Sequence, residues 1–430
     1  MDLEALREKY LDELRNSVIP FWMKHGVDHE HGGFLTCLDR AGEVYDDRKY
    51  IWLQGRGVWS FSKFFNELDR NPEWLAVAKA GAEFLEQHAF DDQGRCWFST
   101  SRDGRTPTGY QRKPYAAVFV FLGFWEYFKA SSDFRYHTLA ISLFDKILAW
   151  IENPAALGRP LPVAKNLADC MVVLSMAIEI ASVTSDPKYI DIIRESIDRA
   201  ETFLDPQTGV LLENTPDRST PEGRLFCPGS SIEVAWFLIH GEILLENHHA
   251  LVDHGKDRLP QHYARIRKWI DVIEKSLELG WDQEFGGLYY FMDLEGKPTL
   301  QLESNMKLWW PHTEAIYGCV LALMETKEYG ERMRKKANSA AKKGTAEVAE
   351  GARSYADRAD ELEQELPKWM TWLERVDAYA FQHFADKEHG EWFGYCDRQG
   401  KLSHTLKGNN YKGCFHVPRA LLFAAQRIHR

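Results

Sequence analysis

The sequence predicts an all-α fold, an (α/α)6 barrel of twelve helices with short β-hairpins gathered at one mouth. Three observations lead there. A turn-rich segment recurs along the 430 residues. The apolar residues between its copies repeat with a helical period. The copies fall after alternate helices, so the chain reads as a helix–hairpin–helix unit used repeatedly, the mark of a repeat architecture.

The repeated segment is clearest in three places. Asp28-His-Glu-His-Gly-Gly-Phe34 leads to Leu38-Asp39-Arg40-Ala41-Gly42. Asp282-Gln-Glu-Phe-Gly-Gly-Leu288 leads to Met292-Asp293-Leu294-Glu295-Gly296. Asp386-Lys-Glu-His-Gly-Glu-Trp392 leads to Cys396-Asp397-Arg398-Gln399-Gly400. Each has turn residues, a few apolar or aromatic residues, then an Asp-x-x-Gly turn: a short strand closed by a hairpin. Weaker copies stand at Asp91–Gly94 with Arg102–Gly104, and at Asp205–Gly209.

The helical stretches are expected near 3–25, 50–68, 72–88, 113–130, 133–152, 166–184, 186–204, 230–248, 258–279, 310–326, 367–384 and 412–428. The loop 153–165 holds the place of the third hairpin without a clear copy of it. The even-numbered helices form the inner ring, with their N-termini, and so their partial positive charge, at the hairpin mouth. The stretch from about 327 to 365 breaks the rhythm. It is charged and Ala-rich, and it is expected to be a helical insertion outside a single domain spanning 1–430.

Composition bounds the partners. No apolar run approaches the ~20 residues of a membrane span. The formal net charge of −11 argues against nucleic acid or anionic lipid as a partner. The first residues, Met1-Asp-Leu-Glu-Ala-Leu, open an acidic amphipathic helix, not a signal peptide. Seven scattered Cys without a CxxC pair suit neither a disulfide framework nor a zinc site, so a reducing, cytoplasmic setting is expected and no metal.

Chemistry-bearing residues cluster where inner helices begin. Arg56 opens the second helix, Glu233 the eighth, Glu314 the tenth and His416 the twelfth. Trp52, Trp309, Trp310, Trp392 and Phe415 surround them, and aromatic faces with scattered polar groups suit a sugar. Each residue has a plainer reading. Ser230-Ser-Ile-Glu233 also spells a capping box. Pro311 with Glu314 is ordinary helix-start chemistry, Arg56 by itself would pair with a nearby carboxylate, and a lone His416 would sit satisfied in the core. Convergence on one mouth favours the functional reading for all four.

Long ordered segments resemble the N-acylglucosamine 2-epimerase family: His31-Gly-Gly-Phe-Leu-Thr-Cys-Leu-Asp39, Tyr45-Asp-Asp-Arg-Lys-Tyr-Ile-Trp-Leu-Gln-Gly-Arg56, Met306-Lys-Leu-Trp-Trp-Pro-His-Thr-Glu314, Glu391-Trp-Phe-Gly-Tyr395 and Lys412-Gly-Cys-Phe-His-Val-Pro-Arg419. The resemblance implies the same barrel and work on an open-chain sugar. A base removes the C2 proton, and the enediolate is reprotonated at C2 or at C1. It implies His416 as the catalytic histidine, Arg56 as the enediolate's partner, and Glu233 and Glu314 as carboxylates that orient the histidine or bind hydroxyls. Trp52, Gln54, Asn166, Arg224, Ser230, Trp310, His312 and Trp392 are the expected substrate contacts. No cofactor is required. Relatives include ATP-activated epimerases, so ATP stands as a candidate effector, and a homodimer is expected.

Two departures matter. The family usually has a histidine after Pro-Gly at the start of the eighth helix, where this chain reads Pro228-Gly229-Ser230. A serine hydroxyl is no base near neutral pH without activation. The fourth helix carries Ala116 and Ala117 where close relatives have Ser and Glu. Four readings follow: a 2-epimerase on N-acetylglucosamine, N-acetylmannosamine or a related hexose; a one-base aldose–ketose isomerase; a glycoside hydrolase using Glu233 and Glu314; or a sugar-binding relative without turnover.

Overall fold

The computed structural model describes residues 1–110, 113–158, 165–184, 186–252, 259–342 and 346–429. Among the described residues twelve helical runs carry the chain, as the repeat predicts. The first, α1, covers residues 3–26 as an α-helix (Leu3–Glu13) interrupted by two π-turns, Leu14–Val18 and Trp22–Gly26. Then come α2 (Ile51–Glu67), α3 (Pro72–His88), α4 (Tyr115–Ser131), α5 (Phe134–Glu152), α6 (Leu167–Ala181), α7 (Pro187–Glu201), α8 (Pro228–Val252), α9 (Leu259–Gly280), α10 (Trp309–Ala341), α11 (Ala346–His383) and α12 (His416–His429).

The even-numbered helices are the inner ring. α2 is buried without a break from Leu53 to Phe64, and α10 from Pro311 to Thr326, so neither has a solvent face over that length. A helix apolar all round belongs in a core. The outer helices are amphipathic and start at side-chain caps. Asp2, Asn71, Asp133 and Asp186 each accept a hydrogen bond from a first-turn N–H of α1, α3, α5 and α7. The inner helices α2, α4 and α10 begin with no side-chain cap. No side chain therefore covers their first N–H groups at the mouth, although Trp309 N–H donates to the Gly394 carbonyl at 3.0 Å. α12 closes the ring against α2: Trp59 packs edge-on to Phe415 and Phe423, and Ser60 donates to the Cys414 carbonyl at 2.6 Å.

The hairpin segments gather at this mouth and pair with one another. β1 (Cys37–Leu38) pairs with β2 (Val44–Asp46), and β3 (Lys49–Tyr50), β4 (Trp97–Thr100) and β5 (Pro107–Tyr110) make one antiparallel sheet. β6 (Leu225–Phe226) pairs with β7 (Met292–Asp293), and β8 (Lys307–Leu308) with β9 (Tyr395–Cys396). In the loop 153–165, a 3-10 turn covers Pro154–Leu157; residues 159–164 lie outside the described residues.

Each strong copy is built on its aspartate. Asp28, Asp282 and Asp386 accept backbone N–H bonds from Glu30, Glu284 and Glu388 within their own turns. Each also meets a lysine from a later segment whose side chain is wholly buried: Lys49 at 2.9 Å, Lys307 at 3.1 Å and Lys407 at 2.9 Å. An arginine from a neighbouring hairpin completes each set. Arg102 reaches Asp28, Arg398 reaches Asp282 and Arg40 reaches Asp386. The arginines thus tie the second hairpin to the first, the first to the sixth and the sixth to the fifth. Burial raises these carboxyl pKa values, but the arginine and lysine outweigh it and hold all three well below the usual carboxylate range.

The expected insertion is not a separate element. α10 and α11 run on through it as one antiparallel pair, burying Tyr329, Met333, Ala337, Ala359 and Leu362. α11 begins well before 367 because Pro367 lies inside it rather than at its first turn. The pair is also seated on its neighbours. Arg332 contacts Glu246 of α8 at 3.2 Å, and Lys368 contacts Glu274 of α9 at 2.7 Å.

Removing Asp282 strands Lys307, which has no solvent to retreat to. Asp282→Ala is expected to cost about 3–5 kcal/mol. Arg398→Ala leaves Lys307 in place and is expected to cost at most about 1 kcal/mol. Urea unfolding of both variants checks the order. The depressed aspartate pKa values add stability that is complete above the unfolded carboxylate pKa of about 3.9. That stability is lost as pH falls through the lower folded values, so thermal scans should show a steep loss below about pH 4 that Asp282→Ala flattens.

Candidate active site

Four inner helices and the loop before α12 supply the site. His416 is the first residue of α12, and its Nδ1 lies 2.8 Å from Glu314 Oε1 of α10. With Glu314 accepting, Nδ1 carries the proton and Nε2 keeps its lone pair. Glu314 is itself fixed: Trp236 Nε1 donates to its Oε2 at 3.0 Å. One helical turn beyond His416, Arg419 donates to Glu314 Oε1 at 2.7 Å and also to Glu233 Oε1 of α8. Two buried carboxylates therefore share one guanidinium, which places a histidine at the end of a rigid charged chain. Such an arrangement fixes both tautomer and ring orientation.

Arg56 of α2 faces this chain without joining it. Its guanidinium lies over three rings, Phe119 at 4.1 Å, Trp52 at 4.8 Å and Phe415 at 4.8 Å. It is 7% exposed, and its Nε has no hydrogen-bond partner. Among the described residues it forms no ion pair. Burial and the nearby Arg419 push it down to about 9. A buried cation held by ring faces alone is poised for an anionic or polar guest. Burial first, then Arg56 and Arg419, hold His416 well below the ordinary histidine value. It is therefore neutral at neutral pH and able to accept a proton.

The ligand atoms of Glu233, Glu314 and His416 lie within 4.8 Å of one another, near enough to hold a metal ion. The Arg419 guanidinium pairs with both carboxylates from within that cluster, and the Arg56 cation lies near them. A divalent cation would meet this positive charge at close range.

The walls are aromatic. The rings of Trp309 and Trp310 both approach His416, at 6.3 and 5.8 Å. Trp310 extends along the wall to Gly229, where any Cβ would meet its ring at 2.7 Å. Beneath the cluster, Trp236, Phe415 and Arg419 roof a cavity of about 690 Å³ that runs between the inner helices to Glu328 and Gln426.

Several expected substrate contacts instead hold the scaffold. Gln54 is fully buried and clamps Phe34, accepting from its N–H at 2.7 Å and donating to its carbonyl at 2.8 Å. His312 is fully buried: Nδ1 bonds the Leu308 carbonyl and Nε2 accepts from Leu288 N–H. Burial pushes its pKa down to about 3. Trp392 is buried against Phe381 and donates to Glu13. Arg224 pairs with Asp293 at 3.0 Å. Asn166 caps α6 through Ala168 N–H. In each case a saturated polar group faces its own scaffold partner rather than the His416 cluster. The Ser230–Glu233 capping box is not formed either, because α8 starts two residues before Ser230. Trp52, Trp310 and Ser230 remain at the mouth, all partly exposed.

The sequence reading missed three contributors. Arg419 was visible only as the third residue after His416, the spacing that puts two side chains on one helix face. Lys412 and Glu391 form a buried pair at 2.7 Å beside the loop that delivers His416. Glu391 replaces the second glycine of the repeat yet keeps its left-handed backbone, at φ 54°. Its carboxylate bonds to Trp22 Nε1 and Lys412 hold it there.

Comparison with known proteins fits this geometry. The family model of N-acylglucosamine 2-epimerase (GlcNAc 2-epimerase) matches residues 33–351. The N-acylglucosamine 2-epimerase of Bos taurus is 34% identical over 448 aligned positions, covering 99% of this chain and 92% of the relative. The chain belongs to the N-acylglucosamine 2-epimerase family. Its relatives carry epimerase names, and epimerases are isomerases, in agreement with the expected enzyme class. The family's barrel is also seen in solved structures. Cellobiose 2-epimerase from Spirochaeta thermophila DSM 6192 superposes with TM-score 0.73 at 22% identity, covering 99% of this chain and 97% of that one. A D-mannose isomerase superposes at 0.72 with 14% identity, over 98% and 97%. The neutral His416 follows from burial first and then from the nearby cations Arg56 and Arg419. Arg56→Met removes one of them and is expected to raise the His416 pKa toward 6.5. Side-chain NMR titration of the imidazole checks the direction.

Proposed function

We propose that the protein is a carbohydrate 2-epimerase acting on the open-chain form of N-acetylglucosamine, N-acetylmannosamine or a related hexose. One observation supports this reading above the others: a neutral histidine whose Nδ1 is held by Glu314 stands in an aromatic mouth beside an unpaired arginine. His416 Nε2 takes the C2 proton, and the electron pair passes to the C1 carbonyl oxygen. Arg56 and the uncapped N-termini of α2 and α10 stabilise the enediolate. Trp52 and Trp310 offer faces for the sugar's apolar side. Glu314 and Arg419 keep the imidazole in one tautomer through the proton transfer. No cofactor enters these steps. In this reading the enzyme works as a homodimer in the cytoplasm, with ATP a candidate effector.

The one-base aldose–ketose isomerase is the second reading, favoured by Ser230 where relatives carry a histidine. Proton NMR of a sugar panel in deuterated water separates the two. The expected result is a C2 epimer with deuterium at C2; a ketose as the only product overturns the epimerase reading. His416→Ala should lower kcat by about 10²–10⁴-fold. Because His416 titrates below the ordinary histidine value, the acid limb of kcat/KM should lie below pH 6.5.

A further inference from the structure

Inverting C2 needs a proton taken from one face and another delivered to the opposite face. His416 can serve only one. The other end of the Trp310 wall holds a carboxyl that the sequence reading passed over. Glu213 lies in the link between α7 and α8. Its N–H donates to the Leu225 carbonyl at 3.0 Å, and its carbonyl accepts from Leu167 N–H at 2.9 Å. The backbone is thereby pinned between β6 and the start of α6. Its Oε1 is shielded from solvent and has no hydrogen-bond partner. A shielded carboxyl oxygen without a partner is costly unless the group is neutral or meets a ligand.

Ser230 is near enough to that carboxyl to favour its ionised form, and it stands in the first turn of α8, one turn before Glu233. Ser231 turns the other way, into the core, where it bonds Leu211 N–H and Ser276. Trp310 joins this corner to the histidine. Its ring lies 5.8 Å from His416, meets Tyr290 edge-on at 6.1 Å, and covers Gly229 next to Ser230. A sugar laid along Trp310 would have His416 at one edge and Ser230 with Glu213 at the other.

We propose that Glu213, through the Ser230 hydroxyl, is the second acid of the reaction, in the position left by the histidine this chain lacks. The proposal rests on the epimerase reading. In the forward direction His416 Nε2 takes the C2 proton and becomes imidazolium. The enediolate's electron pair then re-forms C1=O, and C2 takes the Ser230 hydroxyl proton on the opposite face. Ser230 in turn takes the proton of the Glu213 carboxylic acid, leaving a carboxylate. Solvent returns a proton to Glu213 and accepts one from His416. Burial, with Glu233 nearby, raises the Glu213 pKa against the smaller effects of Ser230 and Lys113, which favours the acid form this step needs.

The test is to follow epimer formation and C2–H exchange separately in deuterated water. Glu213→Gln keeps volume and polarity and cannot donate an acid proton. It is expected to slow epimer formation by about 10²-fold or more while His416-dependent exchange of the C2 proton in unreacted substrate persists. Ser230→Ala should show the same split, and Ser230→His in the Glu213→Gln background should restore epimerisation. Epimer formation within a few-fold of wild type in Glu213→Gln overturns the proposal and leaves the epimerase reading standing. Equal loss of exchange and inversion, not rescued by Ser230→His, marks a structural role and also overturns it. A wild type that forms only ketose, or nothing, overturns both readings together.

Discussion

The buried Asp–Lys contact in each strong hairpin is the constraint on which the mouth depends. A wholly buried ammonium is tolerated only beside a compensating carboxylate. Asp28, Asp282 and Asp386 each supply one, and each is oriented by backbone N–H groups of its own turn. Two of the lysines lie in β3 and β8, the strands that feed α2 and α10. Fixing those lysines fixes where two inner helices begin, and with them Arg56 and Glu314. The arginines that pass from one hairpin to the next turn separate turns into a collar.

Inside that collar the charges are arranged unevenly. Arg419 is ion-paired with Glu233 and Glu314, whereas Arg56 forms no ion pair among the described residues and lies over three ring faces. One arginine builds the site and the other is left for what enters it. The same division appears in the helix starts. The outer helices α1, α3, α5 and α7 spend an Asx side chain on their first N–H groups, as does the inner α6, and α2, α4 and α10 do not. Both features keep positive potential at a mouth where an enediolate would carry negative charge.

Much of this was legible because it is local or periodic. Helical period gave the twelve runs, and Gly, Asp and Asn marked the turns between them. The misreadings share one cause. Gln54, His312, Trp392, Arg224 and Asn166 carry the residue types of a sugar site, and nothing in their neighbours in sequence reveals that their hydrogen bonds are already committed. The eleventh helix is expected from about 367, whereas α11 begins at Ala346 and holds Pro367 in its interior. The role of Arg419 is hidden in the sequence, since its partners are separated from it by 105 and 186 residues.

By itself, the sequence determined the barrel, the mouth at which the inner helices start, and the residues His416, Glu314, Glu233 and Arg56 that those starts deliver. Periodicity and turn chemistry act over a few residues, so one chain suffices to read them. Only the tertiary structure decided which polar groups are free. Whether a carboxylate, arginine or histidine is spent on the scaffold depends on partners brought together across the ring. That is how Arg419 becomes the bridge, Arg56 is left without an ion pair among the described residues, and Glu213 Oε1 is left without a partner.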